Sequence, residues 1–249
     1  MAFNLIRGIR AWKDHGMRFG GALWSNARMV FVDLPVDPGE VEPWLPFPMR
    51  LARPARVTFF VAHYPECVWG VPYHEIGLFV QVRLFGIVPM LHCAWMLVDD
   101  DTHLINGREM LGYPKKMATI RFEERDGRIF GSAERRGREV CRIEGTIGAP
   151  LQDPPPGVGR WGVNARHLLT FTPGHLVVVK PTETVHQANA VDLQVTLTPT
   201  ENDPICRVAG APENATIRTC DIGMSPIPPI RIWPVGPLFQ ATLMRLRVS

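Results

Sequence analysis

The sequence has little that marks nucleic-acid binding, membrane insertion or export. No charge of one sign dominates: 27 basic and 24 acidic residues leave a formal net charge of +3. A nucleic-acid-binding domain concentrates basic residues on one face. The basic stretch from Arg121 to Arg142 is interrupted by Glu123, Glu124, Asp126, Glu134 and Glu139, and it reads as a solvated pair of strands. Long apolar runs are also lacking. One stretch, Ile76 to Val98, approaches membrane-spanning length, but Gln81, Arg83, Pro89 and His92 sit inside it. Two buried strands are the expectation there. Near the amino terminus, Arg7, Arg10, Lys13 and Asp14 interrupt any apolar run of signal-peptide type. The five cysteines are odd in number, widely spaced and without a CxxC pair, which fits reduced thiols in a cytoplasmic protein. Neither a nucleic acid nor a membrane is therefore expected as a partner.

Common catalytic signatures are missing as well. There is no GxSxG, no phosphate-cradling GxxxxGK[ST], no GxGxxG and no HExxH. His63, His74, His92 and His103 are scattered along strand-like segments with no metal-ligand spacing, so no metal site is expected.

What the sequence does contain is punctuation. Its 24 prolines and 22 glycines recur throughout and break the chain into many short β elements. Met29–Leu34, Val57–His63 and Leu78–Leu84 read as strands, and Pro38 to Trp44 holds one helical turn. From Thr119 to Gly148 the pattern is a meander, with tight turns at Asp126-Gly127 and Arg136-Gly137. Residues 153–159 break the pattern like a linker, and residues 174–181 and 190–199 are strands again. Residues 4–19 are expected to form a short basic amphipathic helix serving as an arm that packs on the domain or on a neighbouring subunit. The expected fold is mainly β: one antiparallel, closed or partly closed barrel-like domain over residues 1–249, with residues 1–20 as its arm and few short helices. Closure is expected because it removes exposed sheet edges.

One segment carries chemistry. Residues 107–118 read GREMLGYPKKMA, two adjacent lysines following a proline among the apolar neighbours Leu111, Tyr113, Pro114 and Met117. Apolar flanks bury at least one amine, and a buried amine is a candidate nucleophile. If residues 114–118 are extended, Lys115 and Lys116 point to opposite faces.

This segment resembles the active-site signature of the acetoacetate decarboxylase family. Asn26-Ala27-Arg28-Met29-Val30 is similar to the family's early arginine before an apolar strand. Tyr73-His74-Glu75 is similar to its Tyr-x-Glu about forty residues before the reactive lysine. The resemblance implies an antiparallel β-barrel-like fold, assembly into homo-oligomers, and a Schiff base on Lys115. Lys116 is the alternative nucleophile. It further implies that Arg28 orients the substrate carboxylate, that Glu75 transfers protons or tunes the lysine, and that Tyr73 lends a hydroxyl to the pocket, where Tyr113 also stands.

Iminium formation needs a neutral amine. An ordinary lysine of pKa ~10.4 is free base only about once in 2,500 molecules at pH 7, a handicap near 4.6 kcal/mol. Burial and a neighbouring cation both relieve it; acetoacetate decarboxylase is itself a known instance of such a lysine. With the two lysines on opposite faces, burial is expected to dominate. The protonated imine is its own electron sink, so no cofactor is expected.

One position departs from the family pattern. Phe60, within Thr58-Phe59-Phe60-Val61, stands where a second glutamate is expected, and it makes the substrate pocket less polar. Together with Trp69, Trp95 and Met96 it suits a substrate bulkier than acetoacetate. The leading expectation is decarboxylation of a β-keto acid, acetoacetate or a bulkier analogue, to a ketone and carbon dioxide. A Schiff-base aldolase or dehydratase acting on a keto acid is the alternative, and a non-catalytic barrel holding an apolar ligand is a third.

Overall fold

The computed structural model describes residues 22–68, 70–166, 174–225 and 230–235. The arm read at residues 1–20, and Trp69, lie outside the described residues.

The chain is mainly β. Fifteen strands among the described residues join one sheet, among them β2 (Met49–Leu51), β11 (Gly162–Arg166), β12 (Gly174–Val179), β13 (Pro181–Leu197), β14 (Glu213–Met224) and β15 (Ile230–Val235), and its main ladder runs β15-β12-β11-β6-β5-β3-β1-β14-β13-β10-β9-β8. The strands that position the site are β1 (Ala22–Pro35), β3 (Arg56–Tyr64), β4 (Glu66–Cys67), β5 (Tyr73–Leu84), β6 (Val88–Val98) and β7 (Lys115–Met117). The helical turn expected near Pro38 is α1 (Pro38–Val41), continued by a 3-10 turn at Glu42–Trp44. The meander is β8 (Thr119–Arg125), β9 (Arg128–Arg135) and β10 (Arg138–Pro150). At its turns Asp126, Gly127, Arg136 and Gly137 all have φ between 51° and 73°. Two positive φ values in a row match the right-handed strand twist in a two-residue hairpin.

Two features correct the expected barrel. The sheet is not closed among the described residues, because β15 and β8 end the ladder without pairing to each other. It is also mixed rather than purely antiparallel: β6 pairs in parallel with β7, and with β11 (Gly162–Arg166). Parallel neighbours need a crossover connection. Between β6 and β7 that crossover is α2 (Asp101–Leu111), an eleven-residue helix absent from the sequence reading. Asp100 caps its start by accepting from the His103 backbone N–H, and Gly112 ends it in the left-handed region at φ 71°.

The central strands are buried on both faces, which is why they read as nearly unbroken apolar runs. On one face Val30, Val32, Phe59, Val61, Ile76, Leu78 and Leu97 meet Ile120, Ile129 and Ile143 of the meander. The meander's first strand, β8, lies across β3 and β5. On the other face Ala27, Met29, Phe31, Phe60, Ala62, Tyr64, Tyr73, Phe79 and Met96 pack against Leu104 of α2, Tyr113 and Val158. That second face holds the cavity.

Candidate active site

The strand pair β6/β7 sets where the lysines go. Lys115 lies opposite Met96 and Lys116 opposite Leu97. Met96 belongs to the second face and Leu97 to the first. Alternation along an extended strand therefore sends the two amines apart. Lys115 enters a cavity of about 790 Å3, counted out to its mouth, whose lining includes Phe60, Tyr64, Tyr73, Glu75, Phe79, Met96, His103, Gly107 and Tyr113. Lys116 instead reaches Asp203 at 2.9 Å and the carbonyl oxygen of Asn202 at 3.0 Å.

Lys115 donates to the Glu75 carboxylate, and both side chains are 7% exposed. Its Nζ lies 5.9 Å from the Tyr73 ring centre and 6.0 Å from that of Tyr113. Tyr64 reaches the second Glu75 oxygen at 3.4 Å. Burial, then the Glu75 charge, pushes the Tyr64 and Tyr73 phenols well above their ordinary range. Burial raises Tyr113 too, followed by Cys93 and Glu75. All three stay protonated near neutral pH and remain O–H donors. Tyr73 Oη in turn accepts from the Trp24 indole at 2.9 Å.

Gly107 explains the glycine of the GRE segment. It faces Lys115 from α2, and a Cβ there would come within 2.5 Å of Lys115 Cε and 2.7 Å of Cδ. Only a residue without a side chain lets the lysine lie along the helix. Arg108 donates to the Lys115 carbonyl at 3.3 Å, while Glu109 pairs with Arg166 at 3.1 Å.

Phe60 lines the cavity, 1% exposed, stacked between Phe31 and Phe79 at centroid distances of 5.9 and 5.4 Å. It covers Gly77, its cross-strand partner, where a Cβ would come within 2.3 Å of its ring. Met96 also lines the cavity, but Trp95 points to the opposite face and donates to Asp203 at 2.9 Å.

Arg28, like Lys116, is an expected site residue that the fold does not bring to the cavity. It forms a bidentate pair with Glu124 of β8 at 2.6 and 2.8 Å and donates to Thr219 at 3.1 Å, on the face away from Lys115. Arg28 stands in the regular stretch of β1, paired residue by residue with β3 and β14, where it shares the face of Val30 and Val32 while Ala27 and Met29 face the cavity layer. Among the described residues the cavity lining contains no guanidinium, and its one carboxylate is Glu75.

Sequence reasoning missed Tyr64, Gly107 and His103. Tyr64 pairs directly with Tyr73 across β3/β5, so the strand register was the available signal. His103 was read as part of a strand. It lies in the first turn of α2, 2% exposed, stacked on Tyr73 at 3.7 Å between ring centres.

A family model described as acetoacetate decarboxylase matches residues 11–209. An acetoacetate decarboxylase of Chromobacterium violaceum is 29% identical over 109 residues, a stretch covering 44% of each protein. The match thus spans less than half of that relative's length. The crystal structure of an acetoacetate decarboxylase from Legionella pneumophila superposes with a TM-score of 0.78 at 17% identity, covering 94% of this chain and 99% of that one. The enduracididine biosynthesis enzyme MppR, complexed with the condensation product of pyruvate and imidazole 4-carboxaldehyde, superposes with a TM-score of 0.67 at 16% identity. That superposition covers 80% of this chain and 85% of MppR. Both likenesses concern the fold.

Proposed function

The chain belongs to the acetoacetate decarboxylase family, and we propose that Lys115 is its Schiff-base nucleophile and that it decarboxylates a small β-keto acid. The observation that carries this reading is the placement of one amine. Lys115 is buried in an apolar cavity against one carboxylate, and its neighbour Lys116 is committed elsewhere.

Each side chain has a chemical task. Glu75 takes a proton from Lys115, which frees the lone pair for attack on the substrate carbonyl. Loss of water leaves an iminium, which draws electrons from the adjacent bond. Carbon dioxide departs, the resulting enamine is protonated next to the former carboxylate, and hydrolysis returns Lys115 and a ketone. Glu75, steadied by Tyr64, is positioned to return that proton. Among the described residues of the lining there is no guanidinium to clamp the substrate carboxylate, and a carboxylate bound more tightly than the transition state would raise the barrier.

Phe60 at the cavity wall favours a second reading. An apolar aromatic wall accepts an aldehyde or an extended chain beside the imine, as aldol condensation and dehydration require. MppR, in its complex with a pyruvate condensation product, is the neighbour that motivates it.

Borohydride reduction in the presence of a panel of keto acids, with peptide mass mapping and measured carbon dioxide release, tests both. A reduced adduct on Lys115 with carbon dioxide released supports decarboxylation. The same adduct with release only after condensation with an aldehyde, or none, supports the second reading. No adduct on Lys115 overturns both.

A further inference from the structure

Beside the lysine cavity stands a second constellation that the Schiff-base chemistry does not use. Cys67 Sγ lies 3.1 Å from His103 Nε2, and His103 Nδ1 lies 2.6 Å from Asp100 Oδ1. A thiol, an imidazole and a carboxylate in that order, each within hydrogen-bond reach of the next, form the arrangement that activates nucleophilic cysteines. We infer that Cys67, His103 and Asp100 form a reactive thiol site that adds to soft carbon electrophiles of the α,β-unsaturated carbonyl class.

The tautomer follows from the partners. An ionised carboxylate can only accept, so the imidazole proton resides on Nδ1 and Nε2 is left to accept from the thiol. Asp100 is ionised at neutral pH: burial raises its carboxyl, but hydrogen bonds and charge from His103 outweigh that and hold it below the ordinary range. The imidazole is fixed on three sides. Tyr73 stacks on one face with the planes 15° apart, the Asp100 carboxylate holds Nδ1, and Gly70 lies so close that a Cβ there would come within 3.2 Å of Cε1. The titratable groups facing it are therefore Asp100 from the cap of its own helix, Cys67 from β4 and Tyr73 from β5. Lys115 Nζ lies 5.9 Å from the Tyr73 ring centre, and the Glu75 charge acts on the Tyr73 phenol.

Accessibility singles out the same cysteine. Cys67 is partly exposed, whereas Cys93, Cys141, Cys206 and Cys220 are buried. Burial pushes the thiols of Cys141, Cys206 and Cys220 up to about 12, which keeps them inert. His103 also lines the cavity, so the triad adjoins the space that a carbonyl compound would enter.

The step balances without an added reagent. The thiol proton passes to His103 Nε2, and the sulfur lone pair forms a C–S bond to the β-carbon. The π electrons move onto the carbonyl oxygen as an enolate, and the imidazolium returns its proton to the α-carbon. Nothing is oxidised or reduced, and the reverse sequence releases the electrophile.

The test is alkylation of the full chain by N-ethylmaleimide across pH 5.5–9.5 with peptide mass mapping, repeated with but-3-en-2-one. An ordinary thiol of pKa ~8.5 is only about 1% thiolate at pH 6.5. Cys67 should react at pH 6.5 at least about tenfold faster than the same residue in His103→Gln, while the two rates converge above pH 9. Exposure alone would give both proteins the same profile with an inflection near that of a free thiol, and this result overturns the proposal. The profile of the unsubstituted protein decides the matter by itself if His103→Gln does not fold. But-3-en-2-one should leave one adduct on Cys67 in the full chain and equally in Lys115→Met. Loss of that adduct in Lys115→Met overturns an independent thiol site, and survival of it separates this inference from the fate of the lysine chemistry.

Discussion

Lys115 and Lys116 are adjacent in sequence yet serve opposite faces of one sheet. The first donates to Glu75 inside the cavity, and the second is locked to Asp203 in the far layer. Asp203 also holds Arg135 at 2.7 Å and the Trp95 indole at 2.9 Å, so Lys116 is one member of a buried polar network. Burial lowers the Lys116 pKa, Asp203 opposes that through its hydrogen bond and charge, and Arg135 and Arg136 add to the lowering. The second lysine is thereby held in the far layer of the sheet, outside the lining of the cavity.

A contrast between two substitutions follows. Lys116→Met leaves Asp203 with Arg135 and Trp95, and should change imine formation less than about threefold. Asp203→Ala strands two buried cations and should lower unfolding free energy by about 3–5 kcal/mol, the usual cost of breaking a buried pair. Chemical denaturation and borohydride trapping of both variants check this. Slower trapping in Lys116→Met than in Lys115→Met would reverse the assignment.

Glu75→Gln keeps the shape of the side chain and removes its ability to take a proton. Imine formation should slow by about 10²-fold, within the usual range for loss of a general base. Because the substitution also breaks the buried Lys115–Glu75 pair, thermal unfolding should move to lower temperature. Single-turnover trapping rates provide the measurement.

Gly107→Ala separates stability from activity. Alanine in a helix interior is favoured over glycine by about 1 kcal/mol, so α2 gains intrinsic stability. The new methyl, however, occupies the space of Lys115 Cδ and Cε. The lysine is the flexible partner and gives way, which moves Nζ away from Glu75. Trapping should fall at least about tenfold while the melting temperature stays within a few degrees of the unsubstituted protein. Collapse of the fold would show that the backbone, and not the lysine, absorbs the clash.

At Asp100 the prediction concerns acid. Its folded carboxyl lies below the ordinary value because of His103. Its contribution is therefore complete above the unfolded pKa of ~3.9 and is lost as pH falls through the lower folded value. Melting temperatures measured between pH 5 and pH 2 should fall less steeply for Asp100→Asn than for the unsubstituted protein. The variant should start lower at pH 7 because it loses the charged acceptor of His103, while the cap itself is kept, asparagine capping about as well as aspartate.

How far the sequence reaches depends on which physical rule governs each element. The opposite orientation of the two lysines was legible because strand alternation is strict. The hairpins at Asp126-Gly127 and Arg136-Gly137 were legible because few residue pairs tolerate two positive φ values in succession. Helix α2 was hidden because the residues it buries are His103 and Gly107, a polar ring and a bare backbone, so no apolar stripe marks its face. With the helix hidden, the parallel β6/β7 pair and the site of Gly107 were hidden too. Arg28 was misplaced because motif matching finds a neighbourhood, whereas alternation along β1, which puts Ala27 and Met29 on the cavity side, decides which of two adjacent residues faces inward.

Phe60 gives the sharpest test of how the cavity sets its chemistry. Its ring rests on Gly77 between Phe31 and Phe79, so the site is built around an aromatic side chain and not merely tolerant of one. Phe60→Glu removes two ring contacts worth roughly 0.5–1.5 kcal/mol each and buries a carboxylate beside the lysine cavity. The new charge holds protons in the site, as an opposite charge within a few ångströms of an amine does. Imine formation at pH 7 should therefore fall about tenfold or more and recover as the pH is raised. Phe60→Leu keeps the cavity apolar and removes the same rings, so its stability should fall while its trapping rate at pH 7 stays near that of the unsubstituted protein. The two substitutions share the lost packing and differ in the charge. If Phe60→Leu slows trapping as much as Phe60→Glu does, the ring positions the substrate, and the low polarity of the cavity is not what sets the reactivity of Lys115.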